Sequence, residues 1–122
     1  MKIVLTGGSG RFGKIFKDNT KIKNILYPNK KELNILNMAS IQSYFKKHKP
    51  NVIIHAAGLS RPMEIHNSEI SKCIDKNIIG TCNLVKLCSS YNIKIIYLST
   101  NYVYPGLKGN YRESDPLLPY NN

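Results

Sequence analysis

Lys2-Ile3-Val4-Leu5-Thr6-Gly7-Gly8-Ser9-Gly10-Arg11-Phe12-Gly13 is the stretch on which the reading of this chain turns. Five residues of mostly apolar, β-branched character run straight into a glycine-rich turn. That is how a buried parallel strand meets a loop that must pass close to a phosphate. Two registers fit. Gly8, Gly10 and Gly13 match G-x-G-x-x-G, and Gly7, Gly10 and Gly13 match G-x-x-G-x-x-G. The physical argument is the same for both. One glycine makes the tight turn, the next lets backbone approach a pyrophosphate, and Gly13 lets a helix pack on its strand. A helix opening at Arg11 then turns unbonded N–H groups and the positive end of its dipole toward an anion.

Strand and helix alternate outward from this start. The expected elements are a strand over 3–6, a helix over 11–19 with Ile15 and Phe16 facing in, and a strand over 24–27 stopped by Pro28-Asn29. Residues 33–36 read as a vestigial third strand. Asn37 reads as the N-cap of a helix to His48 with Ile41, Tyr44 and Phe45 as its apolar stripe, and Pro50 ends it. A buried strand over 51–55 leads to the small-residue turn Ala56-Ala57-Gly58. A long helix over 68–91 is expected to carry the stripe Ile70, Ile74, Ile78, Cys82, Val85 and Cys88, and a last strand spans 94–99. Beyond it, Pro105, Gly106, Gly109, Pro116 and Pro119 exclude regular structure. The pattern implies one α/β domain over residues 1–122, an open parallel sheet with helices on both faces.

Composition limits the alternatives. In 122 residues, 18 Lys and Arg stand against 7 Asp and Glu, a net charge of +11. The lysines are scattered and not interleaved with aromatic residues on one element, so a nucleic-acid surface is not expected; a basic surface does suit a phosphorylated ligand. Cys73, Cys82 and Cys88 are odd in number and lack C-x-x-C spacing, which implies reduced thiols and a cytoplasmic location. No stretch has the length of a membrane span, and no signal peptide is read. No histidines, cysteines or acids have metal-ligand spacing, so no metal is expected. His55 reads as a strand-end core residue, and His48 and His66 as facing solvent.

Several motifs then occur in one order: Gly7 to Gly13, Leu33-Asn34-Ile35-Leu36-Asn37, Val52-Ile53-Ile54-His55-Ala56-Ala57-Gly58, Asn77-Ile78-Ile79-Gly80-Thr81-Cys82-Asn83 and Leu98-Ser99-Thr100-Asn101-Tyr102-Val103-Tyr104. Together they resemble the extended short-chain dehydrogenase/reductases of nucleotide-sugar metabolism, with the dTDP-4-dehydrorhamnose reductase group as the nearest look-alike. The segment 106–116 is similar to that group's loop after the last strand. The resemblance covers the whole chain and implies a Rossmann-like sheet, here truncated before the catalytic helix and substrate domain.

It also implies roles residue by residue. Gly7, Gly10, Arg11, Phe12 and Gly13 match the pyrophosphate loop. Asn34 and Ile35 match positions touching the adenine, with Asn in place of the usual Asp. Ala56, Ala57 and Gly58 match the turn on which ribose and phosphate lie. Asn77 matches a helix asparagine near the active site, Ser99 falls among the cofactor-binding positions, and Thr100 matches the catalytic hydroxyl that bonds the sugar carbonyl. The end of the second strand has no acid before Glu32. Lys30 or Lys31, with Arg11, could instead pair with a 2′-phosphate, which favours NADP(H) over NAD(H).

The resemblance further implies a Tyr-x-x-x-Lys pair one helical turn apart, the lysine lowering the tyrosine's pKa. Tyr104 and Lys108 have the spacing with Pro105-Gly106 between them, Tyr27 and Lys31 with Pro28 following, and Tyr120 has no residue 124. These 122 residues are therefore expected to be the cofactor-binding portion of a nucleotide-sugar oxidoreductase, inactive alone, with a homo-oligomer or a complementing C-terminal fragment as partner. A nucleotide-sugar epimerase or dehydratase, or a non-catalytic NADP-binding regulatory module, stays open.

Overall fold

The computed structural model describes residues 1–60, 68–107 and 109–119. Four parallel strands form one sheet: β1 (Ile3–Thr6), β2 (Ile25–Leu26), β3 (Val52–His55) and β4 (Lys94–Tyr97), in the order β2-β1-β3-β4. The register pairs Ile3 with Ile25 and Val52, and Val52 with Lys94. The chain moves from β1 outward to β2, crosses back to β3, and continues to β4. Right-handed crossovers then put helix α1 (Arg11–Asn19) on one face and α2 (Met38–His48) with α4 (Gly80–Ser90) on the other. The open parallel sheet expected from the alternating pattern, Rossmann-like as the resemblance implies, is thus present.

The core follows from this layering. Val4 and Ile53, on one face of the sheet, pack with Ile41, Tyr44 and Phe45 of α2 and Leu84, Leu87 and Cys88 of α4. Asn37 caps α2 by accepting the Ser40 N–H at 3.0 Å. Lys49, left-handed at φ 48°, ends it just before buried Pro50.

Four expectations are corrected. Residues 33–36 are irregular, with a turn at 35–36 and no strand, and send buried Leu33 and Ile35 into the core. Ile15 is 56% exposed, because α1 sits on the glycine loop through Gly13 and leaves that flank to solvent. The long helix is divided: α3 (Ile70–Cys73) passes through a π-helical turn (Ile74–Ile79) into α4. Its expected stripe lies mostly outward, with Ile70, Ile74, Ile78, Cys82 and Val85 exposed and only Cys88 buried. The inward face is Cys73, Gly80, Leu84, Leu87 and Cys88. Helix and loop approach so closely at Gly80 that a Cβ there would lie 2.6 Å from Ile35 Cδ1. The face with the glycine is therefore the one that packs. No helix among the described residues is long and apolar enough to cross a membrane.

Candidate functional site

The strand order reverses between β1 and β3, and ligands of open parallel sheets bind at the carboxyl ends of strands flanking such a reversal. A cleft of about 420 Å³ opens there. It adjoins a second hollow of about 580 Å³, and the two share Phe12, Ala56, Ala57, Gly58 and Ser60. The result is one groove that begins at Arg11, Lys30, Asn34 and Ile35, crosses the glycine loop, and ends at Asn77, Ser99 and Thr100.

The glycine loop forms the floor. Gly7 has φ +78°, and a Cβ on it would stand 2.7 Å from the Ala56 carbonyl oxygen, so only glycine fits where the two strand ends meet. The Gly10 N–H donates to Gly7 O at 2.9 Å and closes the turn. A Cβ on Gly13 would lie 2.5 Å from Gly8 Cα, so Gly13 seats α1 on the loop and does not line the groove. Gly10 does line it, and a Cβ there meets only Gly7 O, at 3.1 Å. Helix α1 starts at this point with no side-chain cap and no acid in its first turn. Its leading N–H groups are left for an anion in the groove.

The two lysines expected near a 2′-phosphate separate. Lys30 lines the groove beside Arg11; Lys31 lies outside it, its N–H held by Asn29 Oδ1 at 2.8 Å. At the far end, Thr100 is exposed and its oxygen accepts the Tyr102 N–H at 3.2 Å. Asn77, on the π-helical turn, grips Leu59 at both backbone atoms: its Oδ1 accepts the N–H at 2.7 Å and its Nδ2 donates to the carbonyl at 3.0 Å. His55 is fully buried, and burial lowers its pKa to about 4.

Lys76 also lines the groove and was not foreseen. It directly precedes Asn77, but a lysine on a helix carries no signal of its own until the π-helical turn sets its direction. The tyrosine candidates are accounted for separately. Tyr104 stacks on Tyr111 at 4.9 Å and donates its hydroxyl to Arg112 O at 3.1 Å. Tyr27 packs against Gly8, with the Lys17 ammonium 5.7 Å from its ring centre. Lys108, Tyr120, Arg61 and His66 lie outside the described residues. Among the described residues, no three His, Cys, Asp or Glu side chains are grouped as a metal site would need.

The RmlD substrate binding domain family model matches residues 1–122. The chain belongs to that family. It is 37% identical over 108 residues to GDP-L-colitose synthase of Yersinia pseudotuberculosis, covering 86% of this chain and 35% of that protein. The solved dTDP-4-dehydrorhamnose reductase of Clostridium acetobutylicum superposes with a TM-score of 0.83 at 30% identity, covering 98% of this chain and 43% of that one. The reductase of Bacillus anthracis, solved in complex with NADP, gives 0.78 at 28% identity and covers 87% and 39%. The chain therefore spans between a third and a half of the length of these relatives.

Proposed function

We propose that these residues form the dinucleotide-binding portion of a nucleotide-sugar oxidoreductase of the dTDP-4-dehydrorhamnose reductase type, reducing a 4-keto sugar nucleotide. The observation that carries this is the single groove from Arg11 and Lys30, across the glycine loop at the sheet reversal, to Thr100. Its parts fit NADP(H): cations at one end for the extra phosphate, uncapped N–H groups in the middle for the pyrophosphate, and a hydroxyl at the other end. The NADP bound by the Bacillus anthracis relative supports the same assignment.

NADPH, when bound, supplies the hydride to the carbonyl carbon. The carbonyl oxygen then gains negative charge and must receive a proton. Thr100 accepts the Tyr102 N–H through its oxygen, which leaves its own proton to donate to that carbonyl. A threonine hydroxyl of ordinary acidity orients the substrate and does not replace a general acid. Tyr104, with its hydroxyl on Arg112 O, is not placed for that role.

The 122-residue chain should therefore bind NADP(H) in the cytoplasm's reducing conditions and turn over no sugar by itself. Among the described residues strand β4 is one of the two sheet edges, and Ile96, Tyr97 and Leu98 on or beside it are exposed. A complementing C-terminal fragment covering that edge would complete the enzyme, whereas a second copy would cover the edge without adding a proton donor. The test combines calorimetry of NADPH and NADH with NADPH oxidation over a panel of 4-keto sugar nucleotides. The expected outcome is binding, tighter for NADPH, without turnover. Absence of dinucleotide binding sinks the assignment. Turnover that vanishes in Tyr104→Phe sinks the claim that Tyr104 is not the proton donor.

A further inference from the structure

One buried group is not used by this chemistry, yet it joins elements on different sides of the groove, the end of β1 and the start of α4. His55 Nδ1 lies 2.7 Å from Thr6 Oγ1, at the end of β1. Its Nε2 lies 3.0 Å from Thr81 Oγ1, on α4. The hydrogen bonds beyond these two contacts fix where the protons are. The Thr81 hydroxyl donates to Asn77 O at 2.7 Å, so toward His55 it can only accept, and Nε2 must carry the hydrogen. In a neutral ring Nδ1 is then bare and accepts from the Thr6 hydroxyl. The oxygen of Thr6 in turn accepts the Ala57 N–H at 3.3 Å.

The sequence of donors thus runs from Ala57 N–H through Thr6, His55 and Thr81 to the carbonyl of Asn77. The side chain of that same Asn77 grips Leu59. Both ends of the turn 56–59 are therefore held by one relay, Ala57 through Thr6 and Leu59 through Asn77. A Cβ on Gly58, between them, would stand 3.0 Å from Asn77 Oδ1, so the turn has no slack.

We propose that His55 is a positioning residue: as the neutral Nε2–H tautomer it couples the end of β1 to the π-helical turn and so holds Ala56, Ala57 and Gly58 in the shape against which the dinucleotide lies. The proposal rests on the reading of the groove as a dinucleotide site. The groups facing the ring are Thr6 of β1, Thr81 of α4 and the ring of Tyr97 of β4 at 5.6 Å, none of them a carboxylate that would favour the charged form. Burial alone acts on it, and keeps it neutral. A histidine does what no aliphatic residue could at this place, accepting on one side and donating on the other.

The experiment uses the 122-residue chain, ¹⁵N-labelled, and NADP⁺ as the acid-stable probe. Two-bond ¹H–¹⁵N spectra of the wild type at pH 7 should show one tautomer at His55, protonated at Nε2. His55→Asn, whose amide can occupy the Nδ1 position, should retain the Thr6 bond and lose about 3- to 10-fold in NADP⁺ affinity, while His55→Leu loses more. The wild-type advantage over His55→Asn should shrink as the pH approaches 4, where the ring charges. A proton on Nδ1, or a folded His55→Leu chain that binds NADP⁺ like wild type, overturns the relay. Wild type with the Nε2–H tautomer but no NADP⁺ binding overturns the reading of the groove and not the relay. The tautomer measurement needs no variant to fold.

Discussion

Gly80, the first residue of α4, faces Ile35 so closely that any Cβ would stand 2.6 Å from Ile35 Cδ1 and 2.8 Å from its Cγ1. Ile35 is buried and also lines the groove beside Asn34. Two effects compete in Gly80→Ala. The helix gains about 0.5–1 kcal/mol from propensity. Overpacking a closed core costs about 1–3 kcal/mol, and Ile35, stiff at its branched Cβ, must give way within a wall of the groove. Net destabilisation of about 1 kcal/mol is expected in urea unfolding, together with weaker NADPH binding. A more stable variant with wild-type affinity would show that Ile35 has room to turn away.

The three motif glycines should divide into two kinds. Gly7→Ala places a side chain at φ +78° and 2.7 Å from the Ala56 carbonyl, and Gly13→Ala meets only backbone, at 2.5–2.7 Å. Both should lose stability by several kcal/mol, because neither backbone can step aside cheaply. Gly10 has φ −74° and a single neighbour at 3.1 Å, and its other side is the groove. Gly10→Val should therefore retain most of the fold and abolish NADPH binding. Circular dichroism melts and calorimetry on the three variants check the division. Unimpaired binding by Gly10→Val would exclude the loop as a pyrophosphate site.

How much of this was legible in the residues depends on how local each feature is. The strand–glycine–helix unit is local, so Ile3 to Gly13 places the groove, and the Asn37 cap and Pro50 bound α2 where expected. The long helix was misread because two of its faces are apolar, and which one turns inward is decided by contact with Ile35, 45 residues earlier in the chain. The split of Lys30 from Lys31 depends on the Asn29 turn. The partners of His55 lie 49 and 26 residues away, so no spacing rule could join them.

That split leads to a prediction about cofactor choice. Lys30 lines the groove near Arg11, and Lys31 does not. Lys30→Ala should weaken NADPH more than NADH, by about 1–3 kcal/mol if a charge-assisted hydrogen bond to the 2′-phosphate is lost. Lys31→Ala should leave both affinities within about twofold of wild type, as expected of a surface cation. Parallel titrations of both cofactors decide the matter. Equal losses of NADPH and NADH in Lys30→Ala would mean that Lys30 acts on the whole dinucleotide and not on the phosphate.

The last prediction concerns pH and follows from burial of His55. Its pKa is about 4 in the folded chain against an ordinary 6.5, so between these values the unfolded chain binds more protons. Stability is therefore undiminished above pH 6.5 and falls as the pH is lowered through the window to 4, with no further loss from this group below it. The full shift corresponds to about 3 kcal/mol, of which roughly 2 should be gone by pH 5. His48 is lowered as well, first by burial and then by the nearby Lys47 and Lys2 charges, and acts in the same direction. Carboxylates titrate in both proteins when wild type is compared with His55→Asn, and so does His48. The gap between their unfolding free energies should therefore narrow from pH 7 to pH 4.5, and urea titrations across that range measure it. A gap that stays constant would mean that His55 charges inside the fold without penalty. The Thr6 hydroxyl, which donates to Nδ1 in the neutral ring, would then have to turn its proton away to accept the second N–H, and the relay that holds Ala57 and Leu59 could not be rigid.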